Sequence, residues 1–154
     1  MFDSVALAVC IKAMHAFSQL NVSWLDLADS TFGKEGGAVL AEALSKCSML
    51  TYLNFRNCCL DDTSDFVGVC KALINSKCPF EYLNVRGNDL TLKGAQLVLV
   101  PLMQAKKYTL KSIHVEENEL TSHGVACLAK TGLPLLQDIN LATNQCGSPV
   151  LMRG

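Results

Sequence analysis

Apolar residues recur along this chain in one eleven-residue phrase, clearest as Phe80, Leu83, Val85, Asn88 and Leu90. As a pattern it reads L-x-x-L-x-L-x-x-N-x-L, with Phe and Val in two of the leucine places. Leu110, Ile113, Val115, Asn118 and Leu120 repeat it, as do Leu50, Leu53, Phe55, Cys58 and Leu60. Val22, Leu25, Leu27, Ser30 and Phe32 give a looser copy, and Leu136, Ile139, Leu141, Asn144 and Cys146 another. Inside each phrase apolar and polar residues alternate, which predicts a short half-buried strand. Between phrases the apolar spacing changes to three and four, which predicts a helix. Leu40, Ala41 and Leu44 mark one helix over 38–47, entered through Gly36-Gly37. Phe66, Val69, Cys70 and Leu73 mark the next, with Asp62 or Thr63 as its cap. Leu7, Cys10, Ile11 and Met14 predict a partial helix over 3–17.

The copies begin at 22, 50, 80, 110 and 136, so the periods are 28, 30, 30 and 26 residues. That is the leucine-rich-repeat period, at the long end where a true α-helix follows each strand. The expected fold class is α/β, a leucine-rich-repeat solenoid or horseshoe, with parallel strands on the concave side and helices on the convex side. One repeat domain is expected over 1–147: the partial helix, four repeats starting at 22, 50, 80 and 110, and a final strand phrase over 136–146. Residues 148–154 are expected to form an irregular tail. Thr91 and Thr121 stand 30 residues apart, each placed to cap a helix. Pro101 falls within the third helix, where it removes a hydrogen bond and is expected to kink it. Both ends lack a capping repeat, so the expectation is a fragment of a longer repeat protein, or one whose ends pair with something else.

Half of the 154 residues are hydrophobic, which suits an array whose strands and helices share one core. A net charge of −1 excludes a phosphate-driven nucleic-acid binder, and no apolar run approaches a membrane span. Lys12 and His15 interrupt the N-terminal apolar stretch and argue against a signal peptide. The eight cysteines then read as reduced thiols. None forms a C-x-x-C pair, so neither a metal nor another cofactor is expected. His15, His114 and His123 are scattered, with no nucleophile motif beside them. Gly33-Lys34-Glu35-Gly36-Gly37 lacks phosphate-loop spacing and reads as a strand-to-helix turn. Binding to a protein, rather than catalysis, is the expected activity.

Outward-facing residues of successive strands line up in columns. The first is Trp24, Tyr52, Tyr82, Ser112 and Asp138; the second Asp26, Asn54, Asn84, His114 and Asn140; the third Ala28, Arg56, Arg86, Glu116 and Ala142. Aromatic residues beside arginines match the composition of binding hot spots. The same rings, stacked between repeats, would also stabilise the sheet. Asn88, Asn118 and Asn144 read as structural, bonding backbone in the turns. Charge divides by rim. Strand-to-helix turns carry Asp29, Glu35, Asp61, Asp62, Asp65, Asp89, Glu116, Glu117 and Glu119 against Lys34, Arg56, Arg86 and Lys93. Return turns carry Lys46, Lys71, Lys77, Lys106, Lys107, Lys111 and Lys130 against Glu42, Glu81 and Asp138. The candidate protein-binding residues are therefore Trp24, Asp26, Tyr52, Asn54, Arg56, Asp61, Asp62, Asp65, Tyr82, Asn84, Arg86, Asp89, Glu116 and Glu117.

These stretches resemble the ribonuclease-inhibitor-type repeats of Ran GTPase-activating proteins, the plant and algal form most of all. The resemblance rests on Trp24-Leu25-Asp26-Leu27-Ala28-Asp29, Phe32-Gly33-Lys34-Glu35-Gly36-Gly37 with Ala41-Glu42-Ala43-Leu44, and Val85-Arg86-Gly87-Asn88-Asp89-Leu90-Thr91. Glu117-Asn118-Glu119-Leu120 and Ile139-Asn140-Leu141-Ala142-Thr143-Asn144 complete it. It implies a crescent that grips a Ran-like small GTPase and orients the GTPase's own glutamine, with no catalytic site of its own. The residues credited with that role come from repeats nearer the N-terminus than the part matched, so no position here inherits it. The family's acidic tail and the plant form's nuclear-envelope targeting domain have no counterpart in this sequence. The resemblance implies a cytoplasmic protein, with the nuclear envelope as a second address. The alternative is a general interaction scaffold of the actin-regulator or innate-immune-receptor type, which shares this repeat.

Overall fold

A computed structural model describes residues 22–61 and 64–146. The expected helix over 3–17, the Asp62 or Thr63 cap and the tail lie outside the described residues, as do the side chains of Lys34, Glu35 and Asp65. Strands β1 (Trp24–Asp26), β2 (Tyr52–Asn54), β3 (Tyr82–Asn84), β4 (Ser112–His114) and β5 (Asp138–Asn140) form one sheet. Their order is sequential and every pairing is parallel. Each connection is a helical layer: α1 (Gly33–Lys46), α2 (Ser64–Asn75), a composite third helix, and α5 (Thr121–Ala129). The composite consists of α3 (Leu92–Gly94), a π-helical turn (Ala95–Leu99) and α4 (Val100–Ala105). This is the α/β leucine-rich-repeat solenoid that the phrase predicts.

The phrase forms this shape because its apolar places all point between sheet and helices. Leu50, Leu53, Phe55, Phe80, Leu83, Val85, Leu90, Leu110, Ile113, Val115 and Leu120 are all buried. Helix residues close the core from the other side, with Leu40, Leu44, Phe66, Val69, Cys70 and Leu73 buried. Phe55 packs edge-on against both Phe32 and Phe66. Burial fades along the stack: Leu25, Leu27 and Leu141 are only partly covered, and Ile139 is 37% exposed. A stack held by nearest neighbours has this gradient.

Buried asparagines tie the turns together. Asn88 Oδ1 accepts from the Cys58 and Leu60 amides at 3.0 and 2.9 Å, while its Nδ2 donates to the Phe55 and Val85 carbonyls at 2.9 and 2.8 Å. Asn118 repeats this with Leu90 N–H and the Val85 and Val115 carbonyls. Asn144 repeats it with Leu120 N–H and the Val115 and Leu141 carbonyls. In the second repeat the thiol of Cys58 takes this place and donates to the Leu27 carbonyl at 3.1 Å.

Three local expectations change. Helix α1 begins at Gly33, not after the glycine pair, so Gly36 and Gly37 lie inside it. Packing of Leu40, Ala43 and Leu44 outweighs the roughly 1 kcal/mol that each interior glycine costs. Ala43, rather than Ala41, is the fully buried alanine. Thr91 caps as expected, its hydroxyl accepting from Lys93 N–H at 3.1 Å. Thr121 does not cap: it is the first residue of α5, has φ 62°, and Leu120 holds the cap position. Pro101 neither breaks nor ends its helix, because the π turn precedes it and Val100 N–H reaches back to the Ala95 carbonyl. Shifting to wider hydrogen bonds ahead of a proline accommodates the missing donor.

Candidate functional site

The strand register produces the concave columns directly. Trp24, Tyr52, Tyr82, Ser112 and Asp138 are successive partners, as are Asp26, Asn54, Asn84, His114 and Asn140. Trp24 and Tyr52 stack with centroids 3.4 Å apart, and Tyr52 and Tyr82 stack at 4.3 Å, both pairs nearly parallel. His114 continues the series at 5.4 Å from Tyr82 but tilts by 40°. Trp24 remains 61% exposed, and the two tyrosines are half-buried. Burial, and then the neighbouring Tyr82, push the Tyr52 hydroxyl up to about 12. The ladder therefore presents ring edges and the neutral Tyr52 phenol along one stripe.

The second column is mostly occupied by its own backbone. Asp26, Asn54, Asn84 and Asn140 each accept from the amide two residues ahead, at 2.9 to 3.2 Å. Asn54 and Asn84 are buried, and Asp26 keeps its carboxylate exposed. These turns aim the chain at the third column. There Arg56 Nη2 donates to Asp29 Oδ2 at 2.8 Å, and Arg86 Nη2 donates to Glu117 Oε1 at 2.6 Å. The Asn57 amide, which donates to Asp29 Oδ1 at 2.9 Å, and then Arg56 hold the Asp29 carboxyl below its usual range. Arg86 does the same to Glu117, and is itself held more firmly charged. Glu116 is buried, with Oε1 3.5 Å from His114 Nδ1 and 4.0 Å from Arg86 Nε. His114 Nε2 and Ser112 Oγ both meet Asp138 Oδ2, at 2.9 and 3.1 Å.

The candidate residues thus fall into three groups. Trp24, Tyr52, Tyr82, Asp26, Asn54, Asn84, Arg56, Arg86, Glu116 and Glu117 share the concave face. Asp61 (half-buried) and Asp89 (exposed) follow it in the strand-to-helix turns. Asp62 and the side chain of Asp65 lie outside the described residues. The acidic rim is weaker than a count of carboxylates implies, since Asp29 and Glu117 are paired and Glu116 is buried. The opposite rim loses Lys106, which is buried and donates to the Ser76 and Cys78 carbonyls at 2.7 and 3.3 Å, beyond the end of α2. Asn57, His114 and Asp138 were not among the candidates, although their repeat positions beside Arg86 and Tyr82 were the available signal. On the convex side, a hollow of about 250 Å³ is lined by Gln96, Val100, Gln104, Cys127, Lys130 and Thr131.

Comparisons with known proteins agree with this architecture. A Leucine Rich repeat family model matches residues 46–64 and 76–99. RAN GTPase-activating protein 2 of Arabidopsis thaliana is 34% identical over 81 residues, which is 51% of this chain and 14% of the relative. The chain therefore corresponds to a small part of that protein's length. Among solved structures, the tropomodulin C-terminal domain of Caenorhabditis elegans superposes with a TM-score of 0.66 at 16% identity, covering 88% of this chain and 82% of that one. That likeness is one of fold. No described helix is long and apolar enough to cross a membrane. The chain is an α/β leucine-rich-repeat solenoid, similar over about half its length to a RAN GTPase-activating protein.

Proposed function

We propose that the concave face grips a protein partner, and that the partner is a Ran-like small GTPase. The observation that carries the docking surface is the ring ladder: Trp24, Tyr52 and Tyr82 in register, with Trp24 61% exposed and Arg56 and Arg86 on the same face. Aromatic and arginine side chains preorganised by stacking and ion pairs lose little freedom when a partner arrives. The class of partner comes from sequence similarity to a RAN GTPase-activating protein. Exposed acids beside the face, Asp26, Asp89 and Glu119 among them, favour a basic contact surface and speed encounter.

Titration of a Ran-like GTPase, loaded with a non-hydrolysable GTP analogue, tests this reading. Tyr52→Ala with Tyr82→Ala should weaken binding by about 30-fold or more if the rings are hot spots. The association rate should fall as salt rises, and reversing Asp61, Asp62 and Asp65 to lysine should slow it further. Unchanged affinity with lowered stability would leave the ladder as an internal brace and overturn the docking surface.

A further inference from the structure

One carboxyl oxygen on the concave face goes unanswered by the fold. Glu116 is 5% exposed, and its Oε2 is buried with no hydrogen-bond partner among the described residues. Its Oε1 contacts, at 3.5 and 4.0 Å, are far longer than the roughly 2.7–2.9 Å of a charge-assisted bond. The two basic side chains nearby make their short contacts elsewhere: Arg86 with Glu117 at 2.6 Å and His114 with Asp138 at 2.9 Å. A buried carboxylate without donors is costly to maintain, and such a group marks either an unseen partner or stored function. The surroundings select the partner. Glu117 and Asp138 stand about half exposed beside Glu116, so carboxyl groups outnumber basic side chains in this row. Here, too, the ladder opens, from 3.4 and 4.3 Å in parallel pairs to 5.4 Å with a 40° tilt at Tyr82 and His114. Among the described residues no group of three or more His, Cys, Asp or Glu is placed to hold a metal ion. The complementary cation is therefore organic.

We infer that the row formed by Tyr82, His114, Glu116 and Asp138 receives one basic side chain of the protein partner, an arginine in preference to a lysine. A guanidinium lies flat against an aromatic ring while its fork donates to two carboxylates, which an ammonium cannot do. The His114 ring, which lies between Glu116 and Asp138 and against Tyr82, turns aside to admit the guanidinium; Glu116 then takes one prong, Asp138 the other, and the Tyr82 face opposite Tyr52 is the flat surface. This rests on the concave-face reading above and deepens it by fixing where the partner's charge enters.

N-acetyl-L-arginine amide is the probe, titrated into the full chain and followed by NMR of side-chain carboxyl and ring signals. Saturable shifts are expected at Glu116, Asp138 and Tyr82, smaller ones with the lysine analogue and none with the neutral citrulline analogue. Glu116→Gln should weaken the arginine response tenfold or more while leaving the denaturation midpoint equal or higher. Asp138→Asn, altered at an exposed carboxylate, should weaken it severalfold and guards against a folding defect in the first variant. The inference is overturned by a response equal for arginine and citrulline, by none at the solubility limit, or by one unchanged in both variants. It is overturned equally if Glu116→Gln lowers the midpoint while arginine still binds, since the carboxylate is then a brace. The probe is read without the GTPase, so this result stands apart from partner binding in the tyrosine variants.

Discussion

Asn88 serves backbone groups in two adjacent repeats with one side chain, and no water can replace it in that buried turn. Asn88→Ala strands the Cys58 and Leu60 amides and the Phe55 carbonyl, while Val85 keeps its bond from Asn118, and should cost about 3 kcal/mol or more, measured by denaturant unfolding. Cys58 marks the rung where only a weak thiol donor is present. Cys58→Asn restores the full set of bonds toward the first repeat and should stabilise by about 1 kcal/mol. The sequence made this rung legible, because Asn88, Asn118 and Asn144 recur at one place in the phrase. The Glu116 geometry was not legible. Its column was visible, but its lack of a close cationic partner follows from Arg86 pairing with Glu117, a choice between two adjacent acids that spacing does not express.

At the scale of elements, a left-handed residue stands three positions beyond the end of each strand: Asp29, Asn57, Gly87, Glu117 and Thr143 have φ between 52° and 65°. Four of these amides extend the ladder, with Asp29, Asn57, Gly87 and Glu117 donating to the Arg56, Arg86, Glu116 and Ala142 carbonyls. Only one of the five is glycine, so composition concealed a feature that every repeat shares. A branched residue pays most for this conformation, roughly 1–2 kcal/mol, which exceeds the entropy that glycine loses on folding. Thr143→Gly should therefore raise stability by about 0.5–1 kcal/mol in a denaturation assay. Strand places were legible because period-two apolar alternation coincides with the phrase. Helix starts were not: α1 extends back through glycines because its buried face decides, and Thr121 fits the cap signature but sits one residue inside. The proline in the third helix announced a disturbance, but whether it becomes a kink or a π turn depends on packing against neighbouring helices.

The whole molecule should lose stability in alkali. Burial pushes the Cys58 thiol from 9.0 up to about 11 and raises that of Cys70 as well, while the Tyr52 hydroxyl moves from 10.0 to about 12. The folded state thus retains protons that the unfolded chain releases, so this stability is complete below pH 9.0 and is lost as pH rises through those folded values. Lys106 acts with the opposite sign, because burial lowers its pKa and stability from that group rises toward 10.5. Burial raises the Cys47 thiol as well, so one group against four leaves a net loss, which denaturation midpoints across that range would show. A midpoint rising above pH 9.0 would contradict this balance. Cys58→Asn should flatten the decline by removing one of its sources.

The only tryptophan of the chain is Trp24, stacked on Tyr52 and still largely open to water. The concave face therefore carries its own optical reporter, with no label needed. Excited at the indole band, the free protein should emit at the long wavelengths of a hydrated ring. A partner that covers the ladder excludes that water and shifts the emission to the blue. Docking elsewhere, on the convex helices for example, leaves the spectrum where it was. One fluorescence titration thus separates partners by where they land as well as by how tightly they hold.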